Sequence, residues 1–298
     1  MGWEGIVPSI PTAFGADGAI DIDAQRSIVR FAIDSGAHAI MCFGLAGEVL
    51  KLTPDERKSL TEAIVDETGG AVPVLVGAGA ESIHTAQDLA RFSQSAGVDG
   101  VVIPPPTNAS LTPGLLRDYF VSVASVVEIP VMIQDAPEYL NVAVGPELVT
   151  ELAHSVPQIQ YVKLEVGADG IAEWVRMLDG SAAVFGGNAG IYLLDALRAG
   201  AHGIAPGLDV VDVLVAIYER ERASDSAGAD ELFAQILPML VFEMRDIDHF
   251  NLCAKHVLKK RGVQLQTGLR SPAEGLSPHA VALLDTYLDS APLVDGAG

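Results

Sequence analysis

Eight short apolar runs, each followed by an amphipathic helical stretch, predict an α/β protein. Its architecture is expected to be a (β/α)8 barrel over residues 1–207, with a helical extension over 208–298 packed against the barrel. Three observations carry this. Strand-like and helix-like segments alternate without a break as far as residue 207. Beyond that point helical patterns follow one another with no strand between them. No Gly-x-Gly-x-x-Gly follows the first strand, so the fingerprint of a doubly wound open sheet is missing. The 298 residues, 49% of them hydrophobic, suffice for one large core, and α/β barrels reach this length as a single unit.

The first strand is expected at 6–10, and the helix after it at 23–35, with Ile28, Phe31 and Ala32 on one face. A second strand at 39–43 leads to a helix at 54–68, opened by Thr53-Pro54-Asp55-Glu56: an N-cap, a proline at the first helical position and acids in the first turn. Strands at 74–76, 100–103 and 131–133 alternate with helices at 82–96, 112–127 and 146–154. A sixth strand at 160–163 precedes a helix at 168–178, and strands at 183–185 and 202–204 flank a helix at 189–199. The extension supplies helical patterns at about 209–222, 229–244, 248–260 and 277–288. A basic cluster at 255–261 falls near a helix C-terminus, where it would complement the helix dipole.

Composition narrows the function. With 18 basic against 39 acidic residues the net charge is −21, which argues against nucleic acid as a partner. No apolar run reaches the roughly 20 residues needed to span a bilayer, and the first residues lack the basic start and apolar stretch of a signal peptide. Cys42 and Cys253 are too few for a disulfide framework and have no metal-ligand spacing. They read as buried thiols of a cytoplasmic protein that holds no metal.

The most informative residue is Lys163, in the run Gln158-Ile159-Gln160-Tyr161-Val162-Lys163-Leu164-Glu165-Val166-Gly167. Burial within a strand desolvates the ammonium and favours the neutral, nucleophilic amine. Amines of this kind form Schiff bases with carbonyl substrates. Side chains alternate along a strand, so Glu165 shares a face with Lys163, placing a proton-carrying carboxylate beside the amine. The same pattern also fits a structural ion pair, or a lysine whose head reaches solvent at the strand end.

In a barrel, chemistry gathers at the C-terminal ends of the strands. After the second strand comes Gly44-Leu45-Ala46-Gly47-Glu48, a glycine turn whose amides could bind a carboxylate. Gly77, Gly79, Glu81 and His84 follow the third strand, Gln134-Asp135-Ala136-Pro137 ends the fifth, and Gly186-Gly187-Asn188 ends the seventh. Together with Leu52-Thr53-x-x-Glu56-Arg57 and Lys163, this order resembles the dihydrodipicolinate synthase / N-acetylneuraminate lyase family, from about Gly5 to the C-terminal helices. The resemblance implies a barrel with a helical extension, a homotetramer or homodimer, that uses no cofactor beyond the lysine Schiff base. The small-molecule partner would be a 2-oxo acid, its carboxylate held by the turn at 44–47 and its remainder near Gly187, Asn188 and Ile204.

Departures from the family pattern refine the expectation. Gln134-Asp135 stand where the family usually carries Tyr-Asn, and the tyrosine there relays protons. Leu45 and Ala46 replace hydroxyl residues in the turn. Pro105 and Pro106 replace the synthase's paired tyrosines, and Glu138 and Tyr139 follow where it has an arginine. Aspartate semialdehyde condensation and sialic acid cleavage are therefore not expected. A glutamate two residues beyond the lysine resembles the branch that dehydrates 2-keto-3-deoxy sugar acids. Retro-aldol cleavage of such an acid to pyruvate and an aldehyde is the alternative, as is a catalytically silent 2-oxo acid binder. Among the remaining residues, Asp135 serves as proton relay or bonds backbone amides in its own turn. Glu48 is a pocket acid or a cap, and His84 reaches substrate hydroxyls or starts a helix on the surface.

Overall fold

The structure, a computed structural model, describes residues 2–108 and 111–293. Its eight strands are β1 (Gly5–Ile6), β2 (Ile40–Cys42), β3 (Val74–Gly77), β4 (Gly100–Ile103), β5 (Val131–Asp135), β6 (Ile159–Leu164), β7 (Ala183–Gly186) and β8 (Gly203–Ile204). All named pairs are parallel, in the order β1-β8-β7-β6-β5-β4-β3-β2. Hydrogen bonds from His38 N to Ile6 O, Met41 N to Pro8 O and Ile10 N to Met41 O, each 2.9 Å, join β2 to the segment after β1 and close the ring. The helices around it are α1 (Ile22–Asp34), α2 (Pro54–Thr68), α3 (Ile83–Ser95), α4 (Pro113–Ala124), α5 (Pro137–Leu140), α6 (Pro146–Ser155), α7 (Ala168–Leu178) and α8 (Leu193–Arg198). Four more follow: α9 (Val211–Arg222), α10 (Ser226–Glu243), α11 (Ile247–Lys260) and α12 (Pro278–Ser290).

Local signals explain most boundaries. Thr53 and Glu56 form a full capping box and the left-handed Gly69 closes the other end, so α2 starts and stops where the sequence places it. The first strand is shorter than its apolar run because Pro8 and Pro11 cannot donate to a neighbour. The helix expected at 189–199 is broken. Asn188 and Ala189 are left-handed, at φ 51° and 55°, and α8 starts only at Leu193. The four-residue α5 lies inside the segment after β5, too short to show a periodicity.

The core divides in two. A large cluster lies between sheet and helices, and a smaller one fills the barrel with Val7, Met41, Leu75, Val102, Met132, Tyr161 and Phe185. Trp3 stacks on Tyr161 at 4.3 Å and covers the N-terminal end of that inner column. The inner positions of β6 therefore run from Tyr161, packed among apolar side chains, to Lys163 and then to Glu165 just past the strand's C-terminal end. This is the layered filling expected of such a barrel.

The extension is tied to the barrel by a charge. Lys255 on α11, fully buried, donates to Glu48 Oε1 at 2.5 Å and to Gly268 O at 3.2 Å. Burial pulls its ammonium below the usual lysine range, and Glu48 opposes that shift. Arg261 makes a two-pronged bridge to Asp212. The basic cluster thus divides: only Lys259 and Lys260 occupy the last turn of α11, Lys260 also bridging to Asp285, while Lys255 and Arg261 are held in buried or half-buried pairs away from it. Lys255→Met is expected to cost about 3 kcal/mol, the low end for breaking a buried pair, because Lys51 still faces Glu48 at 3.3 Å. A urea titration with an unchanged m-value checks it.

Candidate active site

Lys163 Nζ lies 2.5 Å from Glu165 Oε1, with both side chains nearly enclosed at 6% and 9% exposure. The alternation of β6 accounts for the pairing, and a neighbouring pocket fixes the glutamate. Its other oxygen, Oε2, accepts the backbone N–H of Asn188 at 2.5 Å. The left-handed turn at Asn188 and Ala189 is what aims that amide at the carboxylate. A Cβ at position 187 would overlap the Glu165 carboxylate, so the close approach requires Gly187. Asn188 Nδ2 donates to Val166 O at 3.2 Å, which turns its Oδ1 toward Tyr139, whose hydroxyl donates to it at 3.2 Å. Lys163, Glu165, Asn188 and Tyr139 form one connected chain of polar contacts.

Lys163, Glu165 and Tyr139 line a cavity at the C-terminal mouth of the barrel. Gln134 sits opposite Lys163 in the β5–β6 register and faces the same space. Leu45 and Ala46 form the wall across from it. Their turn is rigid. The Gly47 amide donates to Gly44 O, Thr12 Oγ1 donates to Gly47 O at 2.6 Å, and Asn251 Nδ2 on α11 donates to Leu45 O at 3.2 Å. The N–H groups of Leu45 and Ala46, the first two of the short 3-10 turn Leu45–Gly47, have no partner among the described residues. That turn offers two backbone donors to an anion. A second, roomier cavity, of about 230 Å³, opens beside the first and shares Leu45 and Gln134 with it.

Four expected site residues lie elsewhere. Asp135, one residue past Gln134 and so on the outer face of β5, accepts the Val144 amide at 3.0 Å and bonds the backbone of its own loop. Burial holds its carboxyl above the usual range. Ile204 packs in the outer core against Gly186, because Ala205 is the residue of that segment that faces the cavity. Glu48 turns away from the cavity to Lys255. His84 stands exposed in the first turn of α3 and lines no described cavity. Conversely, Ser9, Tyr139, Ala205 and, from the extension, Met244 and Phe250 line the cavity without having been singled out. Of these only Tyr139 stood close to a recognised motif, two residues beyond Pro137.

Residues 3–289 match the model of the dihydrodipicolinate synthetase family. The chain is similar to L-2-keto-3-deoxyarabonate dehydratase of Azospirillum brasilense, 29% identical over 94% of this chain and 92% of that one. It is likewise similar to a probable 2-dehydro-3-deoxy-D-pentonate aldolase of Escherichia coli K12, 30% identical over 80% of each chain. Among solved structures it resembles YagE, a prophage protein of the dihydrodipicolinic acid synthase family from Escherichia coli K12 in complex with pyruvate. There the TM-score is 0.90 at 26% identity, covering 98% of this chain and 99% of the other. The family match runs through the barrel and on into the helices that brace its mouth: the chain is a lyase belonging to the dihydrodipicolinate synthetase family.

Proposed function

We propose that the chain dehydrates a 2-keto-3-deoxy sugar acid through a Schiff base on Lys163. The observation that carries this reading is the Glu165 carboxylate held 2.5 Å from the Lys163 amine. With the carboxylate in contact, the ammonium proton can pass to it, and the neutral amine attacks the C2 carbonyl; Glu165 then returns that proton to the carbinolamine hydroxyl, which leaves as water and frees the carboxylate again. The substrate carboxylate rests on the free amides of Leu45 and Ala46. Once C2 is an iminium, the C3 protons are acidic, and Glu165, beside the nitrogen, removes one to give the enamine. Collapse of the enamine then expels the C4 hydroxyl. The second cavity gives room for the chain beyond C4. The name of the Azospirillum relative supports dehydration. That of the Escherichia coli relative supports retro-aldol cleavage from the same iminium.

The iminium is itself the electron sink, so the reaction needs no metal or organic cofactor. Buried, unpaired Cys42 and Cys253 are compatible with a cytoplasmic setting, and the exposed Leu50, 81% accessible, supports self-association as a homodimer or homotetramer. Borohydride added with pyruvate should place a reduced adduct on Lys163. A panel of 2-keto-3-deoxy acids should then yield the dehydrated semialdehyde at a rate that a chelator leaves unchanged. Pyruvate as the product would assign the aldolase reaction instead. Activity lost to the chelator and restored by a divalent ion would replace the Schiff base with metal chemistry.

A further inference from the structure

Expulsion of the C4 hydroxyl needs a proton, and the cavity wall shows where it comes from. Among the described residues, five side chains lining the cavity carry an exchangeable proton or a carboxyl, and setting aside the Gln134 carboxamide, which is too weak an acid to give one up, leaves Ser9, Tyr139, Lys163 and Glu165. Lys163 is bonded to C2 during the elimination, and Glu165 has received the C3 proton. Ser9 Oγ sits beside the glycine turn, 3.8 Å from where a Cβ on Gly44 would lie, at the end that holds the substrate carboxylate. Tyr139 stands with Asn188 and Glu165 and reaches the cavity from the segment after β5, while the Lys163–Glu165 pair comes from β6.

We propose that Tyr139 is the acid that protonates the departing C4 hydroxyl, so that Glu165 and Tyr139 divide the two proton transfers of the elimination. This rests on the Schiff-base dehydration above. The C3–H pair becomes the C2=C3 bond of the enamine while Glu165 takes the proton. The nitrogen lone pair then restores C2=N, the C2=C3 pair becomes C3=C4, and the C4–O pair leaves on oxygen. That oxygen takes the Tyr139 proton and departs as water. The proton on Glu165 passes through this water to the phenolate, which restores both groups with no outside reactant.

Two features equip Tyr139 for the task. Asn188 Oδ1, its only hydrogen-bond partner among the described residues, is fixed in orientation by the Asn188 Nδ2 bond to Val166 O. The hydroxyl is therefore presented in a set direction, and a substrate oxygen has one neutral acceptor to displace. Burial first, and then the charge of Glu165, push the phenol up to about 12, so it carries its proton whenever Glu165 is ionised.

The test compares Tyr139→Phe with wild type on a 2-keto-3-deoxy acid and on its 4-fluoro counterpart, whose leaving group departs as fluoride without a proton. The variant should still form the borohydride-trapped adduct on Lys163 and exchange the methyl protons of bound pyruvate with deuterium, as wild type does. On the hydroxyl substrate kcat should fall roughly 10²–10⁴-fold with little change in KM, the usual effect of losing a positioned acid. Fluoride release should proceed at the wild-type rate. Equal losses on both substrates would make Tyr139 a positioning residue, and undiminished turnover of the hydroxyl substrate would remove it from the chemistry. Either result overturns the proposal. A wild type that traps no adduct, or that releases pyruvate, overturns the dehydration reading itself and is recognised before the variant is assayed.

Discussion

Lys163→Ala abolishes turnover, with an expected loss of roughly 10⁴–10⁶-fold, the scale seen when a covalent nucleophile is removed. Among the described residues no second amine lines the cavity to take its place. Without the iminium there is no electron sink at C2, so Glu165 faces a C3 proton of ordinary ketone acidity. The borohydride adduct disappears with the activity, and intact-protein mass measurement after reduction reads this directly. The variant also strips the buried Glu165 of its cation, leaving the Asn188 amide as its remaining hydrogen-bond partner. A cost of about 3–5 kcal/mol follows from unpairing a buried charge, so the assay belongs well below the variant's melting temperature. Adduct formation on another lysine, or turnover near wild type in the folded variant, would reject covalent catalysis at this position.

Glu165→Gln separates the two halves of the reaction. Glutamine keeps the shape, and its single oxygen can accept the Asn188 amide while its NH2 group faces Lys163, but it cannot take a proton. The variant should still trap pyruvate on Lys163, more slowly because the amine has lost the carboxylate that takes its proton, while turnover falls roughly 10²–10⁴-fold. Deuterium exchange into the pyruvate methyl group should fall with it, because that exchange is the C3 proton transfer alone. The contrast with Tyr139→Phe is direct: one variant loses exchange and the other keeps it. If Glu165→Gln unfolds more readily but turns over normally while folded, the glutamate serves only to pair with the lysine. If turnover falls and wild type releases pyruvate from its best substrate, Glu165 serves cleavage of the C3–C4 bond.

The part of this site readable from sequence is the part written in local periodicity. Lys163 and Glu165 lie two apart on a strand, and alternation alone puts them on one face. The glycine turn reads from its spacing, and a glycine at 187 is required by a contact that sequence cannot display. Errors fall where periodicity is too short to read. β8 has two residues, so nothing in Gly203-Ile204-Ala205 indicates that Ala205, not Ile204, turns inward. Asp135 and Gln134 are adjacent and only register separates them: Gln134 pairs with Lys163, Asp135 with Leu164. Tyr139 sits on a single helical turn, where no hydrophobic pattern can form. Met244 and Phe250 reach the cavity from the extension, and Lys255 meets Glu48 across 207 residues of chain, a contact with no local trace.

If the turn holds the substrate as proposed, that long-range contact gives the extension a share in recognition. Asn251 and Lys255 reach the substrate turn from behind, one holding the Leu45 carbonyl and the other the Glu48 carboxylate. On the proposed binding mode a carboxylate seated on the turn is coupled to α11, and linkage makes the effect reciprocal: whatever loosens α11 weakens binding at the turn by the same factor. Affinity in this chain can thus drift through changes in its last quarter that touch neither substrate nor Lys163, leaving the chemical step as it was. On that reading the barrel carries the reaction, and the helices behind it tune how much substrate is needed to saturate it.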